Sequence, residues 1–418
     1  RSEGSSKAMK EGEYNKVCDV AEMLQKTPGD AKRRLANIGA KQTAAAKAEL
    51  QLRILAAQTD DTAASMAYTV LADIVASYAQ TQTDKLDAQV QKAIAGSAQA
   101  EFTAGKIDEL FTILGEDDRG GTTTSFCLAS TDGRAARADG GYGGKCKLTD
   151  TEFGSTTVDI ATLLDATGFK HIKEADIGAD NTGAATCALT TTTNSPRTTN
   201  SLGHTTRKVE LASGLLQADL KGAGSGTWHL GAGANIAQDW VPTAGGQPIK
   251  VAYTAIATAR LIDDSTTQPR EPSEYLKRSA KDPQVKETLK LMLKIQRNIT
   301  DPTAADNEAE AILEAVTGPK ATRGDKLAAD ILNAKAVKIT PEGETETELK
   351  LITAVDDLQT TLTFYLADQK AKLKNQVKEI VSLRSQTNTQ IQKPEEVCNA
   401  IGENKDKCDG NEDCTYDA

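Results

Sequence analysis

The seven cysteines of this 418-residue chain have the clearest chemical potential in the sequence, and they fall into two groups. The first half of the chain holds Cys18, Cys127, Cys146 and Cys187. The end of the chain holds Cys398, Cys408 and Cys414. The first group contains no C-x-x-C pair and no histidine at zinc-ligand spacing, so it does not predict a metal site. It fits either the buried thiols of a cytosolic protein or the disulfides of an exported one.

The histidines and the known nucleophile motifs give no indication of catalysis. The three histidines are scattered along the chain: His171, His204 and His229. Neither G-x-S-x-G nor H-E-x-x-H occurs, so no nucleophile–base pair or catalytic metal site is recognisable. We therefore expect no enzyme, no metal and no cofactor.

Three segments resemble ligand-binding loops only superficially. GYGGKCK at 141–147 lacks the leading glycine of a phosphate loop, and a cysteine follows its lysine where serine or threonine is needed. GAGSGTWHLGAG at 222–233 lacks the glycine spacing of a dinucleotide fold. ENKDKCDGNED at 403–413 has a cysteine at a calcium-ligand position. None of the three predicts a bound nucleotide or ion.

One N-glycosylation sequon, Asn298-Ile299-Thr300, occurs in the sequence. It follows an apolar-periodic stretch and directly precedes Asp301-Pro302, where a helix is expected to stop at the surface. A glycan at Asn298 would require export, which also permits disulfides. The sequon therefore favours the exported protein over the cytosolic one.

Composition favours closely packed helices. Hydrophobic residues make up 39% of the chain but aromatic residues only 4%, so the core must consist of Ala, Leu, Ile and Val. The net charge of -10 argues against a nucleic-acid surface, which needs clustered Lys and Arg. No apolar run is long enough to span a membrane, and the first residues do not resemble a signal peptide.

The N-terminal part predicts a hairpin of two long helices. No proline occurs between Pro28 and Pro196, and an apolar stripe with steps of three and four residues runs through the Ala-rich segment that follows Pro28. We predict one helix over 30–79, with Asp30 as its N-cap, and a returning helix over 84–114.

The turn of this hairpin is predicted at 80–85. This stretch interrupts the apolar stripe and offers Thr83 or Asp84 as a new N-cap. A hairpin returns the chain to the end where Cys18 lies, whereas one straight helix would hold Cys18 and Cys127 too far apart for disulfide chemistry.

The character of the sequence changes after residue 115. Glycine and threonine are concentrated in 115–246, and apolar pieces such as TWHL and IKVAYTAIA are separated by turn residues. This pattern predicts a lobe of loops, short strands and a few short helices. Helical periodicity returns over 272–393, with a second long helix that starts in ETETELKLIT and ends before Pro394.

The expected fold class is therefore mainly α. We predict an elongated antiparallel long-helix hairpin, packed as a coiled coil or helical bundle, with a loop-rich and partly β distal lobe stapled by disulfides. These parts make up an N-terminal domain of residues 1–393.

The last segment, 394–418, is acidic and nearly free of apolar side chains, so it cannot bury a core without staples. Its three thiols cannot all pair among themselves. We expect 394–418 to be the start of a small cysteine-rich C-terminal domain that continues beyond residue 418.

Several quoted stretches together resemble a known family. They are YNKVCDVAEML, the Ala-rich helical hairpin, GKIDELFTIL, GGYGGKCKL and the tail CNAIGENKDKCDGNEDCTYD. In these features the chain resembles the variant surface glycoproteins of African trypanosomes, with an A-type N-terminal domain. The resemblance spans essentially the whole chain.

The resemblance implies that the first cysteine pairs with the third and the second with the fourth, giving Cys18–Cys146 and Cys127–Cys187. It also implies a homodimer built on the long helices, a membrane-distal lobe and a glycosylphosphatidylinositol (GPI) anchor beyond residue 418.

We therefore predict a GPI-anchored coat glycoprotein at the plasma membrane, which shields the parasite from host antibodies by a dense layer and by antigenic variation. Antibody contacts are expected in the lobe, 115–246. One alternative is a nutrient or serum-protein receptor on the same helical architecture, which would need a ligand pocket. Another is an intracellular coiled-coil scaffold, which would keep its thiols free.

Overall fold

The structure is a computed structural model that describes residues 7–116, 126–136, 146, 164, 169–170, 172–178, 187, 189, 209–219, 227–231, 248–262, 269–390 and 399–400. These residues are mostly helical, and their short strands form three small sheets. The chain divides into two compact units. The first unit comprises Arg1–Gln42 with Ala79–Arg270, and the second comprises Thr43–Tyr78 with Glu271–Ala418.

The helices of the described residues are α1 Glu11–Gln25, α2 Thr27–Gln58, α3 Thr62–Gly115, α4 Pro248–Ala259, α5 Pro272–Lys281, α6 Pro283–Gln296, α7 Pro302–Thr317, α8 Asp325–Asn333 and α9 Val355–Gln390. The strands are β1 Met9–Lys10, β2 Leu128–Ala129, β3 Val209–Leu211, β4 Leu216–Asp219, β5 Thr227–Leu230, β6 Lys335–Thr340 and β7 Gly343–Glu348. Strands β1 and β2 are parallel, whereas β3–β4–β5 and β6–β7 are antiparallel sheets.

Helices α2 and α3 form an antiparallel hairpin, as the sequence predicts. The side chain of Asp61 accepts a hydrogen bond from the backbone N–H of Ala63 at 2.9 Å, which satisfies an otherwise unpaired donor at the start of α3. Beyond the turn, the Ser65 hydroxyl donates to the carbonyl oxygen of Ala56 at 2.8 Å and so links the two helices. Further along, Nη2 of Arg53 in α2 lies 2.9 Å from Oδ1 of Asp73 in α3.

The predicted position of the turn is wrong, because α3 runs through 80–85 without a break. The residues there are mostly exposed, and polar side chains on the solvent face cost a helix little. Gln80 Nε2 donates to Asp84 Oδ1 at 2.6 Å, one helical turn away, and so supports the helix. The gap in the apolar stripe therefore marks exposure to solvent and not a reversal of the chain. The boundaries 30–79 and 84–114 are both corrected accordingly.

Asp30 is not an N-cap, because α2 already begins at Thr27. The Asp30 side chain is buried and forms ion pairs with Arg33 and with Arg34, whose Nε lies 2.6 Å from Asp30 Oδ2. Pro28 occupies the first helical turn, where its missing N–H has no intrahelical partner to lose. The Pro-Gly pair therefore starts this helix instead of preceding it.

The main core of the first unit joins α1 to the C-terminal part of α3, to α4 and to the β3–β4–β5 sheet. Its largest side chains are fully buried: Tyr14, Phe111, Trp228 and Tyr253. Of the two apolar pieces noted in the sequence, TWHL forms β5 and IKVAYTAIA forms α4. Helix α1 has no counterpart among the predicted helices, although Tyr14, Cys18 and Ala21 form part of its buried stripe.

The second unit contains the tip of the hairpin, helices α5 to α8, a β-hairpin and α9. Helix α7 packs on α6, α8 packs on α5, and β6 packs on α9. The backbone N–H of Val337 in β6 donates to the Tyr365 hydroxyl of α9 at 3.0 Å. Within the described ranges, no helix combines the length and the apolarity that crossing a bilayer requires.

The second long helix starts later than predicted. The segment ETETEL belongs largely to strand β7, and the helix α9 begins only at Val355. Alternating threonines favour a strand, because β-branched side chains pack well on a pleated surface. Gly343 takes a φ of +135° at the turn between β6 and β7, a conformation that glycine adopts without strain. The apolar residues Leu349 and Ile352 are buried but lie before the helix.

Candidate functional site

Four cysteines of the first unit form two disulfides. Cys18 lies on the buried face of α1 and is bonded to Cys146, with Cα atoms 4.4 Å apart. Cys127 immediately precedes β2 and is bonded to Cys187, with Cα atoms 4.1 Å apart. The structure thus contains both pairs that the resemblance implies, and all four sulfurs belong to the main core of this unit.

Backbone pairing places the second disulfide next to the start of the chain. Strand β1 pairs in parallel with β2, with Met9 opposite Leu128. The backbone N–H of Met9 also donates to the carbonyl oxygen of Cys127 at 2.8 Å. Both strands have only two residues, and such a short pairing would be marginal alone, so the nearby disulfide is expected to reinforce it.

Glu13 of α1 is a further connection, which the sequence analysis missed. One carboxylate oxygen accepts from the backbone N–H of Lys10 at 3.1 Å, and the other accepts from the backbone N–H of Gly178 at 2.9 Å. Trp228 adds a third tie, since its Nε1–H donates to the carbonyl oxygen of Lys7 at 2.8 Å. A side chain at Gly178 would overlap the carbonyl oxygen of Trp228, so glycine is required there.

The sequon lies on the surface of the second unit. Helix α6 ends at Gln296, and Asn298 follows it with a φ of +53°, the left-handed conformation that asparagine tolerates better than most residues. Asn298 and Thr300 are both exposed. Asp301 then caps α7 by accepting from the backbone N–H of Thr303 at 2.9 Å. The sequon is therefore a short, accessible connection between two helices, where the sequence predicted a helix to stop.

A network of ion pairs joins α6 to α7. Lys286 lies 2.8 Å from Asp306 and 3.4 Å from Glu310, and Arg323 also pairs with Glu310. The hydrogen bond from Lys286 lowers the pKa of Asp306, and the hydrogen bond from Arg323 lowers the pKa of Glu310. The hydrogen bond to Asp306 raises the pKa of Lys286. These shifts fit a stabilising surface network.

Metal-ligating side chains do not form a cluster in the described part of the chain. No group of three or more His, Cys, Asp or Glu side chains there could hold a metal ion. His229 lies 3.1 Å from the partly exposed Glu174, whereas His171 and His204 fall outside the described residues. A cleft of about 290 Å³ in the second unit is lined by Arg53, Leu362 and other residues, but by no histidine, cysteine or carboxylate.

Tyr78 of α3 has a partly buried phenol. Burial raises its pKa, and its hydrogen bond to Asp282 at 2.6 Å raises it further. Arg278 stacks on the same ring at 4.5 Å from its centroid. The phenol is thus held protonated as a donor that joins α3 to the start of α6, which is a structural role.

The C-terminal cysteines lie outside the described residues: Cys398, Cys408 and Cys414. The glycine-rich segments 141–147 and 222–233 are described only at Cys146 and at 227–231. The site residues that the structure places are therefore the first four cysteines, in the first unit, and Asn298, in the second.

Comparison with known proteins identifies the family. The sequence model of the trypanosome variant surface glycoprotein family (A-type) matches residues 2–366, most of the chain. The chain belongs to this family. It is therefore a surface coat glycoprotein of trypanosomes, and the resemblance to the A-type N-terminal domain is confirmed. A-type family members are structural coat proteins.

Comparison with solved structures adds a similar fold. The chain is similar to the structure of MITat 1.1, with 20% identity, a TM-score of 0.61 and coverage of 89% of this chain and 100% of that one. Weaker similarity links it to variant surface glycoprotein VSG13, with 12% identity, a TM-score of 0.42 and coverage of 87% and 99%. The structure of VSGsur bound to suramin shares 10% identity at a TM-score of 0.43, with coverage of 84% and 97%. No curated protein sequence matches the chain.

Proposed function

We propose that this coat glycoprotein protects the cell by steric exclusion: densely packed copies hide the membrane and its invariant proteins from antibodies. Exposure to antibodies is then confined to the loop-rich region 115–246. Membership of the A-type family is the observation that carries this proposal.

The two disulfides support separate roles for the helices, which maintain the fold, and for the region 115–246, which carries the antigenic surface. Cys18–Cys146 ties the region 115–246 to α1, and Cys127–Cys187 links two positions within that region, so residues there can vary in sequence without loosening the scaffold. Substitutions in 115–246 would change the antigenic surface while the helical hairpin keeps its packing. This is the physical requirement for antigenic variation.

A homodimer is the second part of the proposal, and an apolar stripe on α9 supports it. Leu366, Leu373, Val377 and Ile380 are each more than half exposed and lie on one side of the helix. The seven-residue spacing of Leu366, Leu373 and Ile380 is typical of coiled-coil contacts. In an isologous dimer, the same face of each copy contacts the other copy. The stripe on one copy would therefore be covered by the second copy.

Attachment to the membrane is proposed through a GPI anchor beyond residue 418, after a small disulfide-bonded domain that begins with Cys398, Cys408 and Cys414. Release of the natural protein from intact cells by a phosphatidylinositol-specific phospholipase tests the anchor. A protein that remains on the membrane after such treatment would contradict it.

N-glycosylation of Asn298 is proposed because the sequon is exposed and lies in an irregular connection, where a modifying enzyme can reach it. Intact-mass measurement before and after enzymatic removal of N-glycans tests the modification directly.

Antibody mapping tests the coat proposal itself. Antibodies raised against intact cells should lose binding when exposed residues in 115–246 are substituted, and should be insensitive to substitutions on the exposed middle of α3. Antibodies that bind intact cells through the middle of α3 would contradict steric exclusion.

A further inference from the structure

Helix α6 carries large apolar side chains on its solvent face as well as on its buried face. Val285, Leu289 and Leu293 are buried in the second unit. Ile295 is nevertheless 82% exposed and Leu291 is 59% exposed, and they lie four residues apart on the opposite side of the helix. We call Leu291 and Ile295 the α6 apolar strip. Ile295 has the highest exposure among the exposed large hydrophobic residues of the described chain.

The sequon lies at the end of this strip. Asn298 follows Ile295 by three residues, and at a rise of about 1.5 Å per residue Leu291 lies about 10 Å from Asn298 along the helix axis. The left-handed conformation of Asn298 ends the helical path there, and its side chain is exposed. Arg297 is engaged in an ion pair with Glu308 of α7. A sugar chain rooted at Asn298 would therefore begin beside Ile295.

We propose that the first sugars of an N-linked glycan on Asn298 fold back over the α6 apolar strip and cover Ile295 and Leu291. This inference rests on the glycosylation proposed above. N-acetylglucosamine rings present C–H faces and an acetyl methyl group, which can remove apolar surface from water, while their hydroxyls stay hydrated. The glycan would thus keep an apolar surface from promoting association in a crowded coat.

Asn298 also has a simpler role, which the experiment must separate from this one. Asparagine in the left-handed conformation ends a helix well without any sugar, so replacing Asn298 would disturb backbone and glycan together. Thr300→Ala removes the sequon and leaves Asn298 in place. Thr300→Ser is the matched control, because it keeps the sequon.

Hydroxyl-radical footprinting of the full-length protein, produced in cells that add N-glycans, tests the proposal. Intact mass first establishes the occupancy of Asn298 in the wild type, Thr300→Ser and Thr300→Ala. We expect the labelling of Ile295 to be about half as high with the glycan as without it, because a sugar covers one side of an exposed side chain. Labelling of Leu373 on α9 should be the same in all three proteins.

A second measurement tests whether the covered surface is the apolar one. Thr300→Ala should bind more tightly to a hydrophobic-interaction column than Thr300→Ser, and adding Ile295→Lys to Thr300→Ala should abolish the increase. Equal labelling of Ile295 in glycosylated and unglycosylated protein overturns the cover and leaves the glycosylation standing. If Asn298 carries no glycan, the cover and the glycosylation are both overturned, but the proposed coat function is not affected. Protection of Ile295 in dimers regardless of the glycan would assign the strip to a second copy and also overturn the proposal.

Discussion

Single residues with covalent or charged side chains hold the first unit together. Cys18–Cys146 closes a sequence separation of 128 residues, and Cys127–Cys187 closes one of 60. Glu13 binds two backbone N–H groups that are far apart in sequence. The Cys18–Cys146 disulfide and the hydrogen bond from Gly178 to Glu13 each tie α1 to residues between 115 and 246.

The two disulfides should differ in their effect on stability. In the chain-entropy description the longer loop gives the larger stabilisation, so replacing both Cys18 and Cys146 by serine should cost about 0.7 kcal/mol more than replacing Cys127 and Cys187. Each loss should cost about 2–5 kcal/mol in total. Urea unfolding of the two double variants beside the wild type measures this difference. Unchanged unfolding midpoints in both would show that the disulfides do not staple this unit.

The two groups of cysteines could be identified from the sequence, because disulfide formation requires cysteine residues and an oxidising compartment. The role of Glu13 could not be identified in this way. A single glutamate in the first turn of a helix looks like an ordinary solvated residue, and only the fold brings Gly178 to its carboxylate. The same is true of Trp228 and the carbonyl of Lys7.

At the scale of elements, the hairpin of α2 and α3 depends on the cap at its turn. Asp61→Ala removes the acceptor for the first backbone donors of α3 and should lower the free energy of unfolding by about 1 kcal/mol. Asp60→Ala is the matched control, since it removes the same charge one residue earlier without removing the cap. Thermal unfolding compares the two variants. Equal effects would show that charge, and not capping, stabilises the turn.

The α6–α7 network should make stability depend on acidity. Because the pKa values of Asp306 and Glu310 are lowered by folding, their stabilisation is present above their ordinary pKa values of 3.8 and 4.5 and is lost as the pH falls through the folded values. The pKa of Lys286 is raised, so its contribution is present below 10.5 and is lost as the pH rises through the folded value. The network is therefore complete near neutral pH.

Lys286→Met should weaken this dependence in acid. The variant lacks the main cause of the lowered pKa of Asp306 and a smaller contributor to the lowered pKa of Glu310, so its stability should fall less steeply than that of the wild type below about pH 4.5. Lys320→Met, which removes an exposed lysine outside the network, is the control. Urea unfolding across the acid range gives the slopes, and identical slopes for all three proteins would contradict the assignment.

Helices and strands were predicted well where buried residues set the apolar pattern of the sequence. They were predicted poorly where a helix and a loop, or a helix and a strand, would equally leave polar residues in water. The hairpin followed from its Ala-rich apolar stripe. Its turn did not, because exposed polar residues at 80–85 suit a helix surface as well as a loop. ETETEL was assigned to a helix because Leu349 and Ile352 have helical spacing, although the alternating threonines before them form a strand.

At the scale of the whole molecule, association should depend on α9. Val377→Lys places a charge in the exposed apolar stripe and should shift a homodimer towards monomer, because burying an unpaired ammonium group is costly. Ser382→Lys adds the same charge on the opposite side of α9 and should leave the dimer intact. Sedimentation analysis over a range of concentrations measures both. A Val377→Lys protein as dimeric as the wild type would remove α9 from the interface.

The family could be inferred from the sequence because its cysteine-bearing segments are distinctive, whereas the proposed dimer surface and the proposed anchor depend on parts that no local pattern specifies. Periodicity in α9 indicates an apolar face, but it does not say whether the rest of the chain covers that face. The exposure of Leu373 and Val377 answers this for the described chain.

The most direct test of the coat function compares the accessibility of two sites on living cells. A single biotin is attached through Thr198→Cys, in the loop-rich region, or through Lys85→Cys, on the exposed middle of α3, and a protein-sized biotin-binding probe is applied. We expect the probe to bind both purified proteins equally, but on intact cells to bind only the biotin at residue 198. Equal binding at residue 85 on intact cells would contradict a coat that works by steric exclusion.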